Sequence, residues 1–168
     1  MDFPSILKPS GLEPILLSDD RLIEVPKTTP LFSLWKGPTL ANNYNGKSVL
    51  EYEGNPYFAE LVILRHLEKA GWNGVWVDTY KNRFLKNWIE AIHLPPDKQK
   101  LFECIRTQAG MRGGCFDVFC WKNDQVLFVE SKREGKDRIR SSQKRWLEAT
   151  LAVGLPLESL LIVEWTTN

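Results

Sequence analysis

The sequence has little histidine and little cysteine. His66 and His93 are its two histidines, distant from each other and from the cysteines along the chain. Cys104, Cys115 and Cys120 form no CxxC pair and leave an odd count. These scarcities speak against a zinc site and against disulfides. They read as reduced thiols in a cytoplasmic protein, with Cys104 and Cys120, set among apolar neighbours, as core fillers. Long hydrophobic runs are also missing, so no stretch approaches the roughly 20 apolar residues that span a membrane. The opening "MDFPSILKPSGLEP" has no basic segment ahead of an apolar one and does not read as a signal peptide. No glycine-rich phosphate-cradling loop, internal repeat or low-complexity tract occurs.

What is present fits one globular domain. The chain has 168 residues, 43% hydrophobic and 26% charged, enough to bury a sizeable core. Its net charge of +1 hides an asymmetry. From Lys132 to Arg145 the sequence "KREGKDRIRSSQKR" holds seven basic and two acidic side chains, so the remainder is net acidic. A segment of this kind attracts phosphates, or forms a solvated helix face and loop. The first fifty residues hold six of the ten prolines, which disfavours long helices there. Within them "ILLSDDRLIEV" reads as a hairpin turning near Ser18, Asp19 and Asp20, and Asn45-Gly46 is a turn signal. Residues 1–50 are therefore expected as a Pro-rich extension packed on a main domain over 51–168.

Apolar periodicity in "YFAELVILRHLEKAGW" predicts a helix ending near Gly71. The β-branched and aromatic "GVWVDTY" predicts a strand over 74–80. Residues 81–109 read as a helical insertion interrupted at Pro95-Pro96. "CFDVFCW" and "VLFVESK" read as an antiparallel hairpin turning at "KND". "SSQKRWLEATLAVG" reads as a helix with Ser141 or Ser142 near its N-cap, and "SLLIVEW" as a closing strand. The order α-β-β-β-α-β makes an α/β fold, a central mixed β-sheet flanked by helices.

Alternation along a strand places Glu130 and Lys132 on one face and Ser131 on the other. Asp117, a charge inside an apolar strand, can converge with Glu130 if the two strands are neighbours. Two nearby carboxylates repel, and a hard divalent cation, Mg²⁺ or Mn²⁺, relieves that repulsion. Such a cation orients and polarises a phosphodiester, while a lysine beside it acts on the attacking water. The Glu-x-Lys triplet by itself reads more simply as a surface salt bridge. Glu60, early in its helix, could face the same sheet edge or solvent. Gln143, just beyond the basic segment, could contact water or phosphate, or be solvated. Trp146 and Leu147 read as core anchors.

The stretch "GGCFDVFCWKNDQVLFVESKREGKDRIRSSQKRWLEATLAVGLPLESLLIVEW" resembles the VRR-NUC branch of the PD-(D/E)XK nuclease superfamily. The shared features run in order: Gly113-Gly114, Asp117, Glu130 and Lys132, a basic loop from Lys136 to Arg140, Gln143, then Trp146-Leu147. "PYFAELVILRHLEKAGW" is similar to the superfamily's first core helix with its acid, here Glu60. Phe116 stands where the superfamily name has proline, and Ser131 where a hydrophobic residue is usual. The resemblance implies a restriction-endonuclease-like core and a metal-dependent nuclease, acting most naturally on DNA, with selection for DNA structure expected by analogy. It implies Mg²⁺ or Mn²⁺ on Asp117, Glu130, Glu60 and the Ser131 backbone carbonyl. Lys132 would act on the attacking water or scissile phosphate, with Gln143 positioning it. Arg133, Lys136, Arg138, Arg140, Lys144 and Arg145 would grip phosphates. Relatives of this branch can dimerise, and residues 1–50 or 81–109 could carry a protein partner. The alternative is an inactive nucleic-acid-binding or protein-interaction module on the same fold.

Overall fold

The computed structural model describes residues 1–40, 46–111 and 113–168. Among these are eleven strands and three α-helices. A first hairpin, β1 (Gly11–Leu16) and β2 (Leu22–Thr28), turns where the sequence predicts, with Asp20 at a φ of 63°. Then come β3 (Leu31–Leu34), β4 (Leu50–Tyr52) and β5 (Asn55–Tyr57). Asn45 of the Asn-Gly turn signal lies outside the described residues. Helix α1 (Ala59–Lys69) leads into β6 (Asn73–Asp78), then β7 (Arg83–Leu85) and β8 (Ala91–Ile92). Helix α2 (Pro96–Ala109) precedes β9 (Val118–Lys122), β10 (Gln125–Arg133), α3 (Ser141–Ala152) and β11 (Leu160–Thr167).

The strands form one mixed sheet in the order β5-β4-β3-β11-β10-β9-β6-β7-β8, with β2 also on β11 and β1 on β2. Strand β11 runs parallel to β10, β2 and β3; the remaining pairs are antiparallel. The α-β-β-β-α-β order is thus present as α1, β6, β9, β10, α3, β11, with β7, β8 and α2 inserted. The protein is α/β, with a large central mixed sheet.

The apolar run of β10 follows from its place in the middle of that sheet. Leu127 and Val129 pack toward α1, while Val126 and Phe128 pack toward α2 and α3. A strand covered on both faces needs apolar residues at consecutive positions rather than alternate ones. Helix α1 is short enough to be marginal alone, and burial of Leu61, Ile63, Leu64 and Leu67 holds it on the sheet. On the other face Trp146 of α3 meets Phe102 of α2, with ring centroids 5.2 Å apart.

The structure corrects three local expectations. Residues 81–109 are helical only from Pro96. Before it, the Asn87 side chain accepts hydrogen bonds from the backbone N–H groups of Ile89 and Glu90, closing a turn that competes with helix. Pro96 starts α2 instead of breaking a helix, as the first helical position tolerates a missing N–H. Cys104 is exposed, because α2 turns Phe102 and Ile105 inward. The N-cap of α3 is Arg140, so Ser141 and Ser142 lie next to it as expected. Among the described residues no helix is long and apolar enough to cross a membrane.

Candidate active site at the end of the central strands

The C-terminal end of β10 holds the central candidate residues. Strand alternation sends Glu130 and Lys132 toward α3, where they are only 1% and 6% exposed. Lys132 Nζ lies 2.8 Å from Glu130 Oε1. The first turn of α3 delivers Gln143 onto the same pair. Its Oε1 accepts from Lys132 Nζ at 3.1 Å and from the Arg140 backbone N–H at 2.9 Å, and its Nε2 donates to Glu130 Oε1. So the salt bridge read from the triplet exists, but it is buried and shared with a glutamine. Glu130 Oε2 is buried and has no hydrogen-bond partner among the described residues.

The β9–β10 register continued by one residue sets Asp117 opposite Glu130. Asp117 is half-buried, and its Oδ2 accepts the Ser131 backbone N–H at 2.9 Å. Ser131 faces away from Glu130, and its Oγ accepts from Trp165 Nε1 at 3.0 Å. Glu60, in the first turn of α1, is buried and paired with Lys47. Among the described residues no three His, Cys, Asp or Glu side chains gather closely enough to hold a metal ion by themselves. Glu60 therefore does not join Asp117 and Glu130 in a tight three-acid cluster; Lys47 engages it instead.

These carboxylates are electrostatically uncomfortable. Burial, then the charge of Glu60, pushes the Asp117 pKa up to about 7, against the pull of the Ser131 N–H, Lys47 and Lys132. Burial, then the charge of Asp117, also pushes Glu130 well above the usual carboxylate range, with Lys132 pulling it back. Cys115 sits beside them, buried, its thiol pushed up by burial and by both acids. Such a thiol is inert packing.

A tight turn after β10, with Gly135 at a φ of 67° and Asp137 Oδ2 accepting the Arg133 N–H at 3.0 Å, separates two clefts. One, about 460 Å³, opens on Lys132 and is lined also by Lys27, Lys136, Arg138, Lys144 and Glu164. The other, about 350 Å³, opens on the α1 side and is lined by Lys47, Ser48, Glu60, Ser131, Arg133 and Lys136. Arg133 donates to Ser48 Oγ at 2.7 Å and lies over the Trp165 ring. Lys144 donates to the Leu16 carbonyl at 3.0 Å. Arg138 and Arg140 are exposed. Arg145 goes elsewhere, to a cleft shared with Asp19, Arg21 and Glu148.

Sequence reasoning missed Lys47 and Asp78. Asp78 ends β6, buried, accepting from Arg83 Nε at 3.0 Å and from the Lys81 N–H at 3.2 Å. A charged residue closing the apolar "GVWVD" was the signal for Asp78. Lys47 lies in a loop and had no such signal. Comparison with protein-family models and with curated proteins finds no match for this chain.

Proposed function

We propose that the protein is a metal-dependent nuclease with a restriction-endonuclease-like core, related to the VRR-NUC branch of the PD-(D/E)XK superfamily. The observation that carries this reading is Glu130: a carboxylate 1% exposed, with one oxygen unpartnered among the described residues, beside Asp117 and a buried lysine. A buried carboxylate oxygen without a donor is costly unless a cation meets it. The donor set is sparse, and that suits Mg²⁺, which keeps several waters and takes one or two carboxylates plus substrate phosphate. Asp117 and Glu130 would hold it, with the Ser131 carbonyl, which shares a strand edge with the N–H that Asp117 binds. When bound, Mg²⁺ or Mn²⁺ supplies Lewis acidity to the phosphodiester.

The remaining work falls to side chains. Lys132 has three donors, and among the described residues Glu130 and Gln143 take two of them. The third can meet the attacking water or a non-bridging phosphate oxygen, balancing charge as the phosphorus–oxygen bond to the leaving group breaks. Gln143 fixes the position of Lys132 through its own anchor on the Arg140 N–H. Arg133, Lys136, Arg138, Arg140 and Lys144 surround the strand end and would contact phosphates without reading sequence. Arg145 lines a different cleft, with Asp19, Arg21 and Glu148, which speaks against a place in that set.

The test uses labelled linear, flapped and four-way-junction DNA, and RNA, each with Mg²⁺, Mn²⁺ or EDTA. The expected outcome is cleavage that needs the metal and falls by about 10²–10⁴-fold in Lys132→Ala. Tight binding with no metal-dependent cleavage of any substrate would instead establish the binding module, in which the Lys132–Glu130–Gln143 cluster is structural.

A further inference from the structure

Lys47 stands beside this site with no role assigned to it. Its ammonium is ion-paired with Glu60 and lies over two aromatic faces, 5.7 Å from the Phe58 ring centroid and 5.3 Å from that of Trp76. The Glu60 carboxylate beneath it is 10% exposed, whereas the Lys47 side chain is 39% exposed. The charged head is thus held by an acid and two π-systems while the side chain stays partly open to water. Packing lowers the basicity of this amine, but Glu60, then Asp117 and Asp78, outweigh the packing and raise it. The same ammonium helps to pull the Asp117 carboxyl back down. One positive charge therefore already serves the Glu60 side of the acid group. It also lines the 350 Å³ cleft with Arg133 and Lys136, where a phosphate oxygen can reach it.

Resting on the nuclease reading above, we propose that Lys47 is a built-in second cation, so that the site takes one divalent metal ion, on Asp117 and Glu130, rather than two. Glu60 then acts through Lys47 and is not a metal ligand. A carboxylate satisfied by an ammonium has little left to offer a second dication, and the ammonium repels that dication directly.

Mn²⁺ binding to the full chain, followed by electron paramagnetic resonance and calorimetry, tests this without reference to activity. The wild type should bind one equivalent. Lys47→Met should bind a second, and Lys47→Arg should stay at one. A wild type that binds two overturns the Lys47 inference and leaves the metal-site reading standing, and this outcome is readable even if a variant fails to fold. One equivalent in both wild type and a folded Lys47→Met likewise overturns it alone. A wild type that binds no Mn²⁺ removes the metal-site reading, and the inference with it.

Discussion

Among the described residues, Glu130 has one carboxylate oxygen crowded by two donors and the other met by none. That imbalance, with Asp117 beside it, makes the site a store of unfavourable charge that pH should report. An ordinary Asp titrates at 3.8, whereas Asp117 in the fold holds its proton to about 7. Between those values the folded chain binds more protons than the unfolded one, so stability falls as pH rises. The contribution is intact below the unfolded value and lost through the folded value; Glu130, shifted in the same direction, adds to the loss. In EDTA, the Tm should therefore drop between about pH 5 and pH 8, and Mg²⁺ should restore it at the upper end. Asp117→Asn should flatten the dependence. A Tm that climbs over that range in EDTA would contradict the raised carboxyls. At this scale Glu130, Lys132 and Asp117 were legible, because a charge at an apolar strand stands out in one dimension. Gln143 was legible only in part: its spacing suited a solvated residue as well as a site residue. Lys47 was invisible, since a loop lysine carries no pattern and its partner stands 13 residues away.

Elements decide which of those residues meet. The apolar strand β10 and its hairpin with β9 were readable from composition and the short polar turn, and Asn123 at a φ of 53° closes that turn. The Gly113-Gly114 lead into β9 has a structural purpose as well. Gly113 offers its carbonyl to Trp146 Nε1 at 2.9 Å, and Gly114 has a φ of 84° with a hypothetical Cβ only 2.4 Å from that of Ser142. This close approach docks the strand entry on the first turn of α3, three residues before Asp117 and, at Ser142, one residue from Gln143. Gly114→Ala should thus cost on the order of 3 kcal/mol, from left-handed backbone strain plus the clash. Urea denaturation measures it, and a change below about 0.5 kcal/mol, the size of an ordinary surface substitution, would mean that the contact yields freely. The stretch before Pro96 was misread because its apolar spacing suits a helix, while the Asn87 turn that prevents one depends on side-chain hydrogen bonding.

Across the whole molecule, the basic segment becomes a rim around the strand end rather than a stripe on α3. Arg138 and Arg140 are exposed there, whereas Arg145 turns to another cleft. Replacing Arg138 and Arg140 by Gln should weaken nucleic-acid binding for every sequence and lower the log–log salt slope by about 1.5–2. Arg145→Gln should leave that slope unchanged. Equal effects from both replacements would place the nucleic acid over a wider surface than the rim. The sequence by itself determined the helices α1 and α3, the four strands of the α-β-β-β-α-β order, and the face shared by Glu130 and Lys132. Helix α1 and the shared face follow from periods of 3.6 and 2 that local backbone geometry enforces, and the strands and α3 from local composition with turn and cap signals. Only the tertiary structure decided that Gln143 is buried between Glu130 and Lys132, that Lys47 rather than solvent meets Glu60, and that Arg145 lines a separate cleft. Those outcomes depend on where separate elements stop against one another in the packed chain, and no local period encodes that.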